Sequence, residues 1–185
     1  MKGVGGTLFA ARGFVPVPLV LGLIWVARGP GWLALPGAIL LAAGESLRLW
    51  GVAHIGPRSR TRGAEVGSLV TTGPYAWCRN PLYLGNLALF AGAAALTGRP
   101  WVPPLALGVL GVHYALIVRW EEENLAEKLG EPYLTWCART PRWIPRRPRS
   151  ASPPGDWGAA LRSERSTLLV LAMVCTLVVG VPWVR

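Results

Sequence analysis

The stretch "TTGPYAWCRNPLYLGN", Thr71 to Asn86, sets a charged, hydrogen-bonding Arg79-Asn80-Pro81 triplet directly before a long apolar run. Proline suits the first position of a helix, and asparagine suits the cap before it. A helix is therefore expected to start at Pro81 with Asn80 as its N-cap. Its free N–H groups and partial positive end could hold an anion or a carbonyl. The triplet reads either as a capped helix start at lipid head groups or as part of a site.

The composition supplies the setting. The chain has 185 residues, 52% of them hydrophobic, and a formal net charge of +10. Its mean hydropathy is +0.38 and its pI about 10.8. A water-soluble domain is rarely so apolar, and the apolar residues come in long blocks. Five such blocks run over about 14–27, 32–52, 82–97, 102–118 and 167–184. The expected fold is all-α: a polytopic membrane protein of about five transmembrane helices. Several blocks fall short of the roughly 20 residues that cross a bilayer. Thinning, or the Trp residues at block ends (Trp32, Trp50, Trp101, Trp120 and Trp183), can absorb the difference. The expected organisation is N-terminal membrane helices over 1–46, a core over 47–146, a linker over 147–166 and a C-terminal apolar helix over 167–185.

The opening "MKGVGGTLFAARGF" precedes a long apolar block with no clean small-residue cleavage site, so it reads as retained. Cys78, Cys137 and Cys175 are odd in number and lack a CxxC pair, which indicates neither a disulfide framework nor a zinc site.

With the N-terminus in the cytoplasm, fifteen of the nineteen Lys and Arg lie inside: Lys2, Arg12, Arg58, Arg60, Arg62, Arg79 and those from Arg119 to Arg165. That is the positive-inside pattern, with basic residues meeting anionic head groups. Nucleic-acid binding is the weaker reading, because no RNA-binding signature accompanies the charge.

The third and fourth blocks are joined by the tight "GRPWVPP", Gly98 to Pro104, and form a helical hairpin. Its open ends, near Arg79 and Glu121, return to one side. There the acidic residues gather: Glu121, Glu122, Glu123, Glu127 and Glu131 are five of only nine in the chain. The fourth helix is expected to continue into "EEENLAEKLG", with Leu125 and Leu129 on one face. The run is then either a solvated face, with Arg119 reaching Glu123, or a cation site in which Glu121 and Glu122 meet the Arg79–Tyr83 segment. His113 either points toward that site or is a core histidine bonded to a carbonyl. Arg48, in "ESLRLWG", has Glu45 as an available partner. The two histidines lack ligand spacing, so no metal is expected.

Those residues carry a resemblance. "LVTTGPYAWCRNPLYLGN" and "RWEEENLAEKLGEPYLTWCARTPRWIP", with "LRLWGVAHIG" upstream, are similar to the signature elements of the isoprenylcysteine carboxyl methyltransferase and phospholipid methyltransferase superfamily. The likeness covers about Leu47 to Pro145, and the two elements flanking a two-helix hairpin are specific in combination. It implies S-adenosylmethionine as cofactor, a pocket at the cytoplasmic membrane surface and a lipophilic or membrane-bound methyl acceptor. Residue by residue, it implies cofactor-binding roles for Arg79, Asn80, Pro81, Tyr83, Glu121 and Glu122. His113 is a further candidate from its place on the fourth helix, eight residues before Glu121. Tyr133, Arg139 and Arg142 stand on its distal element, Arg139 near the acceptor, and Arg139 and Tyr83 are the catalytic candidates. Asn80 stands where the family usually has His, Leu129 where it has Phe, and Trp136 where a Tyr is common.

The expected function is methyl transfer from S-adenosylmethionine to an isoprenylcysteine carboxylate-type acceptor. The alternatives are a phospholipid amine or small thiol as acceptor, or a non-catalytic membrane protein that keeps the fold.

Overall fold

The computed structural model describes residues 6, 7, 9, 11, 13–56, 69–148 and 152–183. Lys2, Arg12, Arg58, Arg60, Arg62, Arg149 and Arg185, which entered the charge count, lie outside the described residues, as does much of the opening stretch read as retained. Among the described residues there is helix, turn and coil, and no strand. The chain is all-α. Helix α1 is Pro16–Val26, α2 Ala34–Ile55, α3 Pro81–Ala95, α4 Val102–Leu129, α5 Glu131–Arg139 and α6 Trp157–Gly180, with a 3-10 turn at Gly73–Ala76.

All five apolar blocks are helical, and three helices are long and apolar enough to cross a membrane: Ala34–Ile55, Val102–Leu129 and Trp157–Trp183. The apolar helices α1 and α3 have only 11 and 15 residues. Pro16 and Pro18 fall in the first turn of α1, where the missing N–H groups would have no helical partner anyway. Large apolar side chains such as Ile39, Val112, Leu169 and Met173 are exposed, as lipid-facing residues are.

Helices α2 and α3 make the most extensive interface, and glycine makes it possible. Gly37, Gly44 and Gly51 recur every seven residues on α2, opposite Gly85 and Gly92 on α3. A Cβ on Gly44 would sit 2.8 Å from the Gly85 carbonyl oxygen, and one on Gly92 would sit 2.7 Å from that of Gly37. The two backbones therefore touch, as small residues allow within a membrane, where apolar burial does not drive helices together. A layer including Leu23, Ala93, Ala94, Ala106, Val174 and Val178 then ties α1, α3, α4 and α6 together.

Helix α4 has 28 residues, about 42 Å at the usual rise, longer than the ~30 Å hydrocarbon layer. It continues through the acidic run as expected and ends at Gly130, whose φ of 59° is the backbone conformation glycine tolerates. Helix α6 begins at Trp157, well before its apolar run. Asp156 caps it by accepting the Ala159 N–H at 2.8 Å. The second half of the expected linker is thus helix, and buried Ala160 packs on Val52 and Ala53 of α2.

The bundle has two distinct ends. At one, the Arg28 N–H reaches the Thr97 carbonyl at 2.9 Å and Arg99 Nε reaches the Val26 carbonyl at 2.7 Å, closing the α1–α2 and α3–α4 turns on each other. At the other lie the Tyr75–Arg79 loop, the polar end of α4, and α5.

Candidate functional site

The site is built where the bases of α3 and α4 meet the segment after α5. Glu122 is its hub. The carboxylate Oε2 accepts from Arg142 Nη2 at 2.6 Å and Nε at 3.0 Å, and from Arg79 Nη1 at 3.1 Å. Its other oxygen faces Asn80 Nδ2 at 3.5 Å. The Glu122 side chain is only 11% exposed, so both arginines are held by a carboxylate largely removed from water. The Arg142 guanidinium is pushed above its usual range, first by its hydrogen bonds to Glu122.

Glu121 has a different partner. Neighbouring residues on a helix point about 100° apart, so the two carboxylates cannot serve one group from the same side. Glu121 Oε2 accepts from the Tyr83 hydroxyl of α3 at 2.9 Å. The Tyr83 ring packs on Tyr114 with centroids 4.8 Å apart.

The loops are fastened by backbone pairs. The Arg79 N–H donates to the Pro141 carbonyl, and the Arg146 N–H to the Trp77 carbonyl, each at 2.9 Å. Residues 141–146 are thereby laid along 77–79, and Arg142 meets Arg79 across Glu122. Tyr133 is buried against Trp136, with ring centroids 5.6 Å apart. Its hydroxyl is held far above the usual tyrosine range, chiefly by burial, then by Cys137 and Glu122, with Arg79 opposing. Burial likewise raises Tyr75 and Cys78.

The structure brings together Arg79, Asn80, Tyr83, Glu121, Glu122 and Arg142, with Tyr133 beside them. Pro81 is buried at the first position of α3. Asn80 corrects one expectation. It occupies the N-cap position, yet its side chain makes no cap hydrogen bond. Instead Nδ2 donates to the Arg142 carbonyl at 3.2 Å, because the returning 141–146 segment offers a tertiary acceptor. His113 is not drawn into the cluster. It lies eight residues before Glu121, about 12 Å along the helix axis, buried beside Tyr114. Arg139 is exposed in the last turn of α5 and makes no ion pair among the described residues.

Sequence reasoning missed a second buried polar cluster. Arg48 Nη2 lies 2.6 Å from Glu164 Oε2, and Nη1 donates to Asn86 Oδ1. Glu45, the partner expected from spacing, is 3.8 Å away and the weaker contact. Asn86 is three residues beyond Tyr83 and so shares its face of α3, a signal legible in advance. Glu164 gave none. Among the described residues, no three His, Cys, Asp or Glu side chains stand together as a metal-ligand set.

Residues 32–132, which include α2, α3 and α4, match the sequence profile of a family described as phospholipid methyltransferase. The cobalt-zinc-cadmium resistance protein CzcN of Cupriavidus metallidurans is 32% identical over 122 residues, 66% of this chain and 52% of that protein. Protein-S-isoprenylcysteine O-methyltransferase of Mus musculus is 32% identical over 126 residues, 62% of this chain and 42% of that protein. The chain thus spans about half the length of the curated relatives it matches. No solved structure matches. The matched profile takes in the α3–α4 hairpin, the first motif element and the start of the second, through the acidic run at the end of α4, and the chain belongs to the phospholipid methyltransferase family.

Proposed function

We propose that this protein transfers a methyl group from S-adenosylmethionine to a lipophilic or membrane-associated acceptor at the cytoplasmic face of a membrane. The observation that carries the reading is the Glu122-centred cluster: two motif elements far apart in sequence meet there in one half-buried arrangement of charge. The excess of Lys and Arg at that end of the bundle supports the orientation.

The donor set suits this cofactor, which carries a carboxylate, an ammonium, ribose hydroxyls and a sulfonium. Arg79 Nε and Trp136 Nε1 are buried donors with no hydrogen-bond partner among the described residues, available to an acceptor-rich ligand. Arg79 would hold the carboxylate, and Glu121 the ammonium or ribose hydroxyls. When bound, S-adenosylmethionine supplies an activated methyl group for in-line displacement.

The remaining work falls to the chain. Glu122 keeps the Arg79 and Arg142 forks in fixed orientation, so little reorganisation is needed as the sulfonium charge is lost. Asn80 fastens the 142 segment to the base of α3 through an amide donor, a task that does not require the family's usual imidazole. Tyr83 orients Glu121 through its hydroxyl. Alignment and exclusion of water supply much of the acceleration. An ionised carboxylate acceptor needs no base, whereas an amine or thiol must first lose its proton. Exposed Arg139 is assigned to the acceptor side, and His113 to a packing role beneath Tyr114.

The test is calorimetric titration of the detergent-purified protein with S-adenosylmethionine, wild type beside Glu121→Gln/Glu122→Gln. Saturable binding that the double variant loses supports the reading. No binding by a folded wild type overturns it.

A further inference from the structure

A cavity of about 590 Å³ opens beside the loop that carries Arg79, and none of the cluster residues described above lines it. Its size is that of a small-molecule pocket. Three indoles wall it, those of Trp50, Trp77 and Trp157, together with His54 and Arg147. Trp50 and Trp77 meet edge to face, with centroids 6.1 Å apart and planes at 73°, which fixes that corner.

The polar groups of the wall narrow the ligand. His54 is already engaged: its ring nitrogens lie 3.0 Å and 3.2 Å from the carbonyl oxygens of Trp50 and Pro153. Asp156, between Gly155 and Trp157 of the wall, is engaged as the N-cap of α6, accepting the Ala159 N–H. Among the described residues, no carboxylate lines the cavity. Ser152 also lines it, its hydroxyl oxygen accepting the Gly73 N–H at 2.8 Å. The charged group of the described wall is Arg147, whose guanidinium makes no ion pair or hydrogen bond among the described residues. Its place is set by its neighbour, since the Arg146 N–H is bonded to the Trp77 carbonyl at 2.9 Å. The guanidinium, with no ion pair among the described residues, disfavours a cationic ligand, and the indole walls suit hydrocarbon, so the lining fits hydrocarbon bearing an anionic group.

We propose that this cavity holds the anionic group of a lipophilic ligand, with its hydrocarbon against the indoles and its charge on Arg147. Trp77 and Arg79 are two residues apart, at most about 7 Å between Cα atoms, so the ligand lies next to the Glu122 cluster. As the chamber for the methyl acceptor, the cavity rests on the methyl-transfer reading above. The anionic group is a lipid phosphodiester or a carboxylate, and the test separates the two.

The full chain in neutral detergent is titrated by calorimetry with two anionic probes and their uncharged counterparts. One pair is dihexanoyl-phosphatidylglycerol with dihexanoylglycerol; the other is dodecanoate with dodecanol. At least one anion should bind on the order of ten-fold tighter than its counterpart. The pair that shows the preference names the source. Arg147→Gln should erase it, Arg147→Lys should restore part of it, and Arg165→Gln, the same loss of charge outside the cavity, should keep it. Arg147 is exposed, so an unchanged Tm checks that its variants are folded. Equal binding of anions and counterparts by wild type, or a preference that survives Arg147→Gln, overturns the proposal. If S-adenosylmethionine fails to bind while the Arg147-dependent preference persists, the cavity stands and the methyl-transfer reading falls. If the cofactor binds and the preference is absent, the cavity proposal falls alone.

Discussion

Arg48 Nη2 lies 2.6 Å from Glu164 Oε2, a pair that joins α2 to α6 across 116 positions of sequence. The Glu164 side chain is 1% exposed and that of Arg48 14%, and Asn86 adds a contact from α3. Such a pair costs much desolvation to form, and breaking it leaves a buried charge short of its partner. Glu164→Gln is therefore predicted to destabilise the protein by about 3 kcal/mol, read as a lower Tm in detergent. Exposed Glu123→Gln is the control. Equal Tm values for the two variants would show that the pair holds nothing together.

The α2–α3 contact makes a steric prediction. Gly44→Ala puts a methyl 2.8 Å from the Gly85 carbonyl and 3.0 Å from the Leu89 nitrogen, so the backbones must part. A loss of about 2 kcal/mol is expected, an overpacking cost. Gly22→Ala meets nothing within 4 Å and should be neutral or slightly stabilising. Thermal unfolding of both variants decides the matter.

The two arginines on Glu122 are not equivalent. The Arg79 side chain is 16% exposed and that of Arg142 46%. Solvent replaces much of what an exposed partner supplies. Arg79→Ala should therefore lower Tm and weaken S-adenosylmethionine binding by well over ten-fold, while Arg142→Ala costs less on both measures. The reverse order would refute the ranking by burial.

Tyr133 makes a pH prediction. Burial raises its folded pKa above the unfolded value, so the folded state keeps a proton that the unfolded state loses in alkali. Its part in stability is whole below about pH 10 and declines as pH climbs beyond the ordinary tyrosine pKa. Tyr133→Phe should flatten that alkaline decline in a Tm-versus-pH series. A slope identical to wild type would assign the decline to other groups.

Arg139 tests the acceptor side. Exposed and without an ion pair among the described residues, it should contribute little to stability, so Arg139→Gln is expected to keep Tm and cofactor affinity. Its turnover on a lipophilic acceptor should fall roughly a hundred-fold, the scale of losing one charge-stabilising donor. Unchanged turnover would move Arg139 out of the machinery.

Much of this was legible before any coordinates. The apolar blocks marked five helices because helical hydrophobicity is a local property of the chain. Pro81 announced the start of α3. The tight Gly98–Pro104 turn made neighbours of the third and fourth helices, and so forecast that Arg79 and Tyr83 would meet Glu121 and Glu122. The Gly37, Gly44, Gly51 spacing takes its meaning only from the structure, because nothing in the sequence names the helix that covers it.

What the chain determined by itself was each apolar helix and the adjacency of those joined by short turns, since propensity, patterning and turn chemistry act within a few residues; α5 and the early start of α6 at Trp157 came only with the structure. What only the tertiary structure decided was which charge meets which. Glu122 draws Arg79 and Arg142 while its neighbour Glu121 takes Tyr83, because a helix turns adjacent side chains about 100° apart. Asn80 leaves its own helix for the Arg142 carbonyl, and Arg48 favours distant Glu164 over nearby Glu45. In each case a half-buried polar group takes the partner with the better approach, and that approach is set by packing between segments far apart in the sequence.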